Sequence, residues 1–383
     1  MALLTLNAGS SSLKFAVFDD EGRTRRLSGE IEGVGVEGAQ AELTLKDGSR
    51  KRTRAVEASD HAAALCAAFD AVEGEGIAAV GHRIVHGGAQ FDRPVVVEAE
   101  TESRIEALSP LAPLHQPHNL AALRAARKAW PDAVQVACFD TAFHRSHPFT
   151  ADAFALPRRY YEAGVRRYGF HGLSYEFLNE RLTGLEGRAP QRAVLAHLGS
   201  GASLCAVKDG VSCDTSMGFS ALDGLPMATR CGQIDPGVLL YLMAEEGLDA
   251  KALTRLLYKE SGLKGLSGTS GDMRVVEAGE TAATRDAFAY FIARCQREIA
   301  ALCAPLEGLD ALVFSAGIGE RSPGVRAAIC QGLGWLGVTQ DADANTAATD
   351  EAALISAPDS AVRVWMIPTD EEQVIARAAA ALI

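Results

Sequence analysis

Three short glycine turns in this sequence carry the residue types that hold phosphate groups. Asn7-Ala-Gly9-Ser-Ser-Ser-Leu-Lys14 sets three hydroxyls and a lysine around one glycine. Gly9 permits a tight turn, the hydroxyls and amides can line an anion nest, and Lys14 adds a compact cation. His197-Leu-Gly-Ser-Gly-Ala-Ser203 and Gly317-Ile-Gly-Glu320 each follow an expected strand, where ligands gather in α/β folds. One Ser-rich hairpin loop is usually only a turn; three glycine turns at strand ends point to bound phosphate. A fourth pattern, Gly33-Val-Gly35-Val-Glu-Gly38, matches G-x-G-x-x-G by letters. It follows a charged segment and opens no helix, so it reads as a surface loop. No G-x-x-x-x-G-K-[ST] exists, which removes the P-loop class.

These turns need a framework of strands. Residues 2–6 read as a strand, 15–18 as extended, and 19–60 as a polar, turn-rich stretch with one alternating strand at 41–45. A helix is expected over 61–73, a short strand over 77–80, a helix after Pro117 to about Trp130, and a strand over 134–139 that stops at Asp140. The second half repeats this grammar. Strands are expected at 194–198 and 203–207, a long amphipathic helix at 284–303, strands at 312–315 and 362–367, and a final helix at 372–383. Strands interleaved with helices argue α/β layers in two similar halves. The expected domains are 1–147, with helix 372–383 packed on it, and 148–371.

The chain has 383 residues and a formal net charge of −12. That length suggests roughly two to three domains. No run of about 18 apolar residues exists, so no membrane span is expected. An acidic surface makes a poor general nucleic-acid binder, yet a local cluster of cations can still hold a small phosphorylated ligand. The eight cysteines show no C-x-x-C pair; they read as small buried hydrophobes of a reducing cytoplasm, with no zinc site or disulfide framework. The N-terminus has no basic region and reads as a strand, not a signal peptide.

Seven segments together resemble the acetokinase family of short-chain acyl kinases, in order and across essentially the whole chain. They are Asn7-Ala-Gly-Ser-Ser-Ser-Leu-Lys14-Phe, Gly81-His-Arg-Ile-Val-His-Gly-Gly88, Phe139-Asp-Thr-Ala-Phe-His144, Tyr168-Gly-Phe-His-Gly172, Asp214-Thr-Ser-Met-Gly-Phe219, Thr229-Arg-Cys-Gly232 and Phe314-Ser-Ala-Gly-Ile-Gly-Glu320. The resemblance implies two related α/β domains of the actin, sugar kinase and heat-shock chaperone type, with nucleotide and Mg²⁺ (or Mn²⁺) in a cleft between them. It implies a homodimer acting between acetate, ATP, acetyl phosphate and ADP.

It also implies roles. An acid and a triphosphate repel, so cations must gather where they meet. Arg83 and Arg230 match the family's arginines there, and a planar guanidinium suits a carboxylate or a moving phosphoryl group. His171 matches the histidine that donates to the phosphoryl in flight. Asp140 inherits the label of catalytic acid or base. A carboxylic acid substrate is already ionised at pH 7, so Asp140 is better read as ordering Mg²⁺ and its waters. Asn7 and Glu371 match metal-associated positions, although Glu371 also suits the first turn of a helix. Val85, Leu114 and Phe170 would line the acyl pocket. Lys14, the turn His197, Leu198, Gly199, Ser200 and Gly201, the segment Asp272, Met273 and Arg274, and the segment Gly317, Ile318, Gly319, Glu320 and Arg321 would hold ATP.

Three positions depart from the family pattern: Ser200 for Asn, Arg321 for the Asn after Glu, and Ser220-Ala221-Leu222 for Thr-Pro-Leu. Ala221 leaves more room beside the acyl methyl, so a propionate or broader short-chain acyl kinase is the alternative within the class. An ATP-driven conformational protein on the same fold would give no reason for Arg83, His171 and Arg230 in those motifs. An inactive nucleotide-binding regulator would need damaged chemistry, and every named charged position is present.

Overall fold

Ala2–Ala8, with all seven residues buried, forms the first strand, β1. An unbroken buried run fits a central strand covered on both faces. The computed structural model describes residues 2–9, 12–35, 40–113 and 115–383. The chain divides into two compact units, Met1–Arg145 with Asp370–Ile383, and Ser146–Thr369.

In the first unit β1 turns into β2 (Ser12–Asp19), β3 (Thr24–Glu32), β4 (Ala41–Asp47) and β5 (Arg50–Val56), an antiparallel meander. Helix α1 (His61–Ala71) starts on Asp60, whose carboxylate accepts from the Ala63 amide at 2.8 Å. Then follow β6 (Ile77–Ile84), the two-residue β7 (Val95–Val96), α2 (Ala99–Glu106), α3 (Gln116–Ala129) and β8 (Val134–Phe139). The sheet runs β5-β4-β3-β2-β1-β6-β8-β7, with β1, β6 and β8 parallel. The C-terminal helix Glu371–Ala380 buries Val374, Ile375, Ala376 and Ala379 against this sheet. Gly81 exists for that contact, because a Cβ there would lie 2.5 Å from Ile375 Cγ2.

The second unit holds α4 (Gly172–Glu186), β9 (Arg192–Leu198), β10 (Ala202–Lys208), β11 (Val211–Thr215), α5 (Pro236–Glu245), α6 (Met273–Glu277) and α7 (Ala282–Leu306). It continues with β12 (Ala311–Ser315), α8 (Ala316–Arg321), α9 (Pro323–Gln331), α10 (Ala342–Ala347), β13 (Ala353–Leu354) and β14 (Arg363–Met366). Its sheet runs β11-β10-β9-β12-β14-β13. Strands β9–β11 are antiparallel, and β9, β12 and β14 are parallel. So both units share one strand grammar: a hairpin and third strand on one side, two parallel strands on the other. The turns after Asn7 and after His197 are the first hairpin turns of their units.

Three expectations need correction. Residues 19–60 hold β3, β4 and β5 rather than one strand. Most of β5 is exposed on both faces of a sheet edge, so it lacks the apolar alternation that betrays a strand. Strand β6 runs past Gly81, which reads as a turn residue and is instead a contact residue. The segment at Gly317 is no loop: α8 starts directly after β12, and the change of direction is made by Ala316 alone, at φ 62°. Gly38 of the G-x-G-x-x-G pattern lies outside the described residues. No cysteine among the described residues is in a disulfide, and among the described residues no helix is long and apolar enough to cross a membrane.

Candidate active site

In the first unit a polar chain links four elements. Arg83, near the end of β6, forks onto Asp140 just past β8. Its Nε lies 2.9 and 3.0 Å from the two carboxylate oxygens, and its Nη2 lies 2.5 Å from Oδ2. Its Nη1 donates to Asn7 Oδ1 at 2.9 Å, and Asn7 Nδ2 donates to Glu371 Oε2 at 3.2 Å. Burial works against the Arg83 charge, but Asp140 and then Glu371 and Glu372 outweigh it and favour the charged guanidinium. Burial, helped by Glu371, pushes the Glu372 carboxyl above the usual range, with Lys14 opposing. Burial works against the Lys14 charge too; Glu30, 3.5 Å away, and the two helix glutamates override it.

The backbone under this chain is braced by Asn119, on the buried face of α3. Its Oδ1 accepts from the Val85 amide at 3.0 Å and its Nδ2 donates to the Ala8 carbonyl at 3.2 Å. One side chain thus ties the ends of β1 and β6 together. His61 Nε2 lies 2.7 Å from the Gly9 carbonyl, and its ring stacks on His118 at 4.3 Å. Val85 is buried. Leu114, Ser10 and Ser11 lie outside the described residues.

In the second unit the centre is the turn Gly199-Ser200-Gly201, closed by a 3.0 Å bond from the Gly199 amide to the Gly201 carbonyl. A Cβ at Gly201 would lie 3.3 Å from His171 Nε2 and 3.6 Å from Arg230 Nη1, so these two nitrogens converge on one point beside the turn. The Arg230 guanidinium is steadied by the Ala221 carbonyl, 3.1 Å from Nη1. His171 stacks on His197 with ring centroids 4.1 Å apart and planes at 17°. Each ring is held at Nδ1 by a serine at 2.8 Å, His171 by Ser203 and His197 by Ser174. Ser203 in turn meets the Tyr175 hydroxyl at 2.5 Å. Leu198 and Phe170 are buried beside these residues in sequence.

Two non-glycine residues with left-handed backbone flank this turn. His171 has φ 58°, and Ala316, at φ 62°, puts its Cβ 3.6 Å from where a Gly199 Cβ would stand. Such a conformation costs about 1 kcal/mol or more and persists where surroundings enforce it, often at functional sites. Glu320 enforces the second: its Oε1 accepts from the Ala316 amide at 2.8 Å and the Thr369 amide at 3.1 Å. Arg326 supports the same segment from below. It is fully buried, and its guanidinium donates to the carbonyls of Gly319 at 2.9 Å, Glu320 at 2.7 Å and Asn345 at 2.7 Å. It thereby satisfies the open carbonyls at the end of α8. Gly317 faces open space, since a Cβ there would meet nothing within 4 Å. Asp272 caps α6 and is gripped by the exposed Arg274, whose hydrogen bond holds its carboxyl below the usual range. Met273 is buried.

The structure therefore joins Asn7, Arg83, Asp140 and Glu371 in the first unit, with Lys14 in electrostatic reach. It joins His171, His197, Gly199–Gly201 and Arg230 in the second, with Ala316 leading into Gly317–Arg321. Sequence reading missed Asn119, Ser174, Tyr175, Ser203, Ala316 and Arg326. Asn119 left one usable signal, a polar residue on the apolar face of a helix.

The family model described as the acetokinase family matches residues 2–377. An acetate kinase from Methylocella silvestris is 51% identical, covering 100% of this chain and 98% of its own. One from Rhodopseudomonas palustris is 49% identical, covering 98% and 96%. Among solved structures, the Porphyromonas gingivalis acetate kinase is 35% identical with a TM-score of 0.88, covering 98% of each chain. A propionate kinase from Francisella tularensis is 34% identical with a TM-score of 0.92, covering 100% of each.

Proposed function

The chain belongs to the acetokinase family, and on that premise we propose that it transfers the terminal phosphoryl group of ATP reversibly to acetate, giving acetyl phosphate and ADP. The observation that carries this reading is the convergence of His171 Nε2 and Arg230 Nη1 on one point over Gly201. Two side-chain nitrogens gathered at one spot beside a glycine turn suit a phosphoryl group in transfer, whose charge spreads over three equatorial oxygens. Arg83 has the charge and planarity to receive a carboxylate or the transferring group.

Asp140 is proposed to hold Arg83 in place rather than to take a proton, since acetate arrives ionised. The donor set of Asn7 and Glu371 is all oxygen on the acceptor side and fits Mg²⁺, which takes few protein ligands and keeps several waters. When bound, Mg²⁺ would neutralise phosphate charge. Lys14, the Gly199–Gly201 turn, Asp272–Arg274 and Gly317–Arg321 are proposed to contact ATP, and Val85, Leu114 and Phe170 the acyl group. The test is ATP- and acetate-dependent formation of an acyl phosphate that hydroxylamine traps.

Homodimer formation is supported by α5. None of its ten residues is buried, and Leu240 and Tyr241 are 68% and 60% exposed; such apolar surface marks contact sites. A native mass measurement on wild type and Leu240→Glu tests it. A reducing compartment, the cytoplasm, is proposed from eight cysteines scattered along the sequence with no C-x-x-C pair.

A further inference from the structure

We propose that His61 is a positioning residue for the turn that follows Asn7: it holds the Gly9 carbonyl from the side of the sheet opposite the Asn7 side chain, and so sets the turn for phosphate. The inference rests on the reading that this turn contacts ATP. It concerns how a glycine turn, whose peptide planes rotate easily, is kept in one arrangement.

Ala8 pairs with Leu13 across the hairpin, and the Gly9 amide donates to the Ser12 carbonyl at 2.9 Å. Both carbonyls that lead into the turn are taken by side chains. Asn119 Nδ2 donates to that of Ala8 at 3.2 Å, and His61 Nε2 lies 2.7 Å from that of Gly9. A carbonyl oxygen only accepts, so Nε2 is the donor and carries the ring proton. The His61 ring is itself held. It stacks on His118, the residue before Asn119, with centroids 4.3 Å apart and planes at 22°.

Both donors come from one side of the sheet. His61 opens α1 and Asn119 sits on α3. Leu4, Leu6 and Ala8 share one core with Ala64 and Leu65 of α1 and Ala122 of α3. Alternate residues of a strand face opposite sides, and Asn7 reaches the other way, to Glu371 of the C-terminal helix. The two carbonyls are therefore held from the side opposite the chain of Asn7, Arg83 and Glu371. A carbonyl oxygen is negative and repels phosphate. Because the peptide unit is planar, its carbonyl and its amide point opposite ways. Pinning the carbonyl thus also sets the amide, and amides are what line an anion nest.

The test is calorimetric binding of ATP with Mg²⁺ to the full-length protein, beside steady-state kinetics. His61→Phe keeps a ring to stack on His118 and removes the donor. Kd and KM for ATP should rise roughly fivefold, the worth of one hydrogen bond, while kcat and KM for acetate stay within about twofold. His61→Gln, whose side-chain amide donates from nearly the same place, should bind ATP within about twofold of wild type. A merely structural tie would weaken both substrates alike and would not be rescued. His61→Phe that binds ATP as wild type does, or that shifts both KM values equally, overturns the inference. Should that variant not fold, ¹⁵N-histidine spectra of wild type at about pH 8, where imidazole is neutral, decide the matter. His61, assigned by difference against His61→Gln, should carry its proton on Nε2, and a proton on Nδ1 instead overturns the brace. Wild type that fails to bind ATP at all would remove the reading of the turn as an ATP site, an outcome visible before any variant is made.

Discussion

Arg83 and Asp140 form a forked pair in which the carboxylate is almost wholly enclosed: the Asp140 side chain is 1% accessible and that of Arg83 18%. Asp140 is thus placed to hold a cation in position, and poorly placed to exchange protons with water. Removing one partner of such a pair strands the other's charge, which typically costs about 3 to 5 kcal/mol. Asp140→Ala should lower the urea unfolding free energy by about 3 kcal/mol, the low end, because Glu371 and Asn7 remain beside Arg83. Asp140→Asn should cut kcat/KM for acetate yet keep the shape of the pH–rate profile. Loss of one ionisation from that profile would make Asp140 a base.

Arg326 gives a second expectation. Arg326→Met takes this donor from three backbone carbonyls, two of them in buried bonds, each worth about 1 kcal/mol or more. Because two of them end the segment Gly317–Arg321, KM for ATP should rise several-fold while KM for acetate stays close to wild type. Equal effects on both substrates would mean that the residue serves stability alone.

A third expectation concerns acid stability. Burial, with Arg127 adding and the Gln135 hydrogen bond opposing, pushes His82 down to about 4 from an ordinary 6.5. The unfolded chain takes up this proton as pH falls through 6.5, and the folded chain takes it up only near 4. Stability is therefore lost between those values as pH falls, by about 1.4 kcal/mol per pH unit, and this residue contributes no slope above 6.5. Urea melts of His82→Gln between pH 7 and pH 4.5 should show a shallower decline than wild type. Parallel curves would place the acid sensitivity elsewhere.

Most of the framework was legible in sequence because its signals are local. The apolar runs of β1, β8 and β12 and the periodic face of α7 announce themselves within a window of ten to twenty residues. The candidate site residues stand in motifs; the residues that brace them do not. Asn119 and Tyr175 act through partners 28 to 111 positions away in the chain, and Arg326 through carbonyls that any residue possesses. Edge strand β5 escaped for the opposite reason, since exposed Arg and Lys on both faces erase the alternation that packing imposes.

Acyl specificity is a fourth expectation. Ala221 stands where the family usually has proline, and its carbonyl still anchors Arg230 at 3.1 Å. If Ala221 lines the acyl pocket as proposed, the room it leaves should broaden preference without reversing it, since one methylene is worth only about 1 to 3 kcal/mol. In kcat/KM, propionate should trail acetate by less than about a hundredfold on that basis. A deficit of several hundredfold would show that Ala221 opens no usable space.

The most direct measurement of the central claim is hydroxylamine trapping of acyl phosphate from ATP and acetate, with wild type beside Arg83→Ala and Arg230→Ala. Wild type should form hydroxamate in proportion to ADP released, and each variant should lose about two or more orders of magnitude in kcat/KM, as removal of a transition-state donor does. ADP release without hydroxamate, or variants that match wild type, would contradict it.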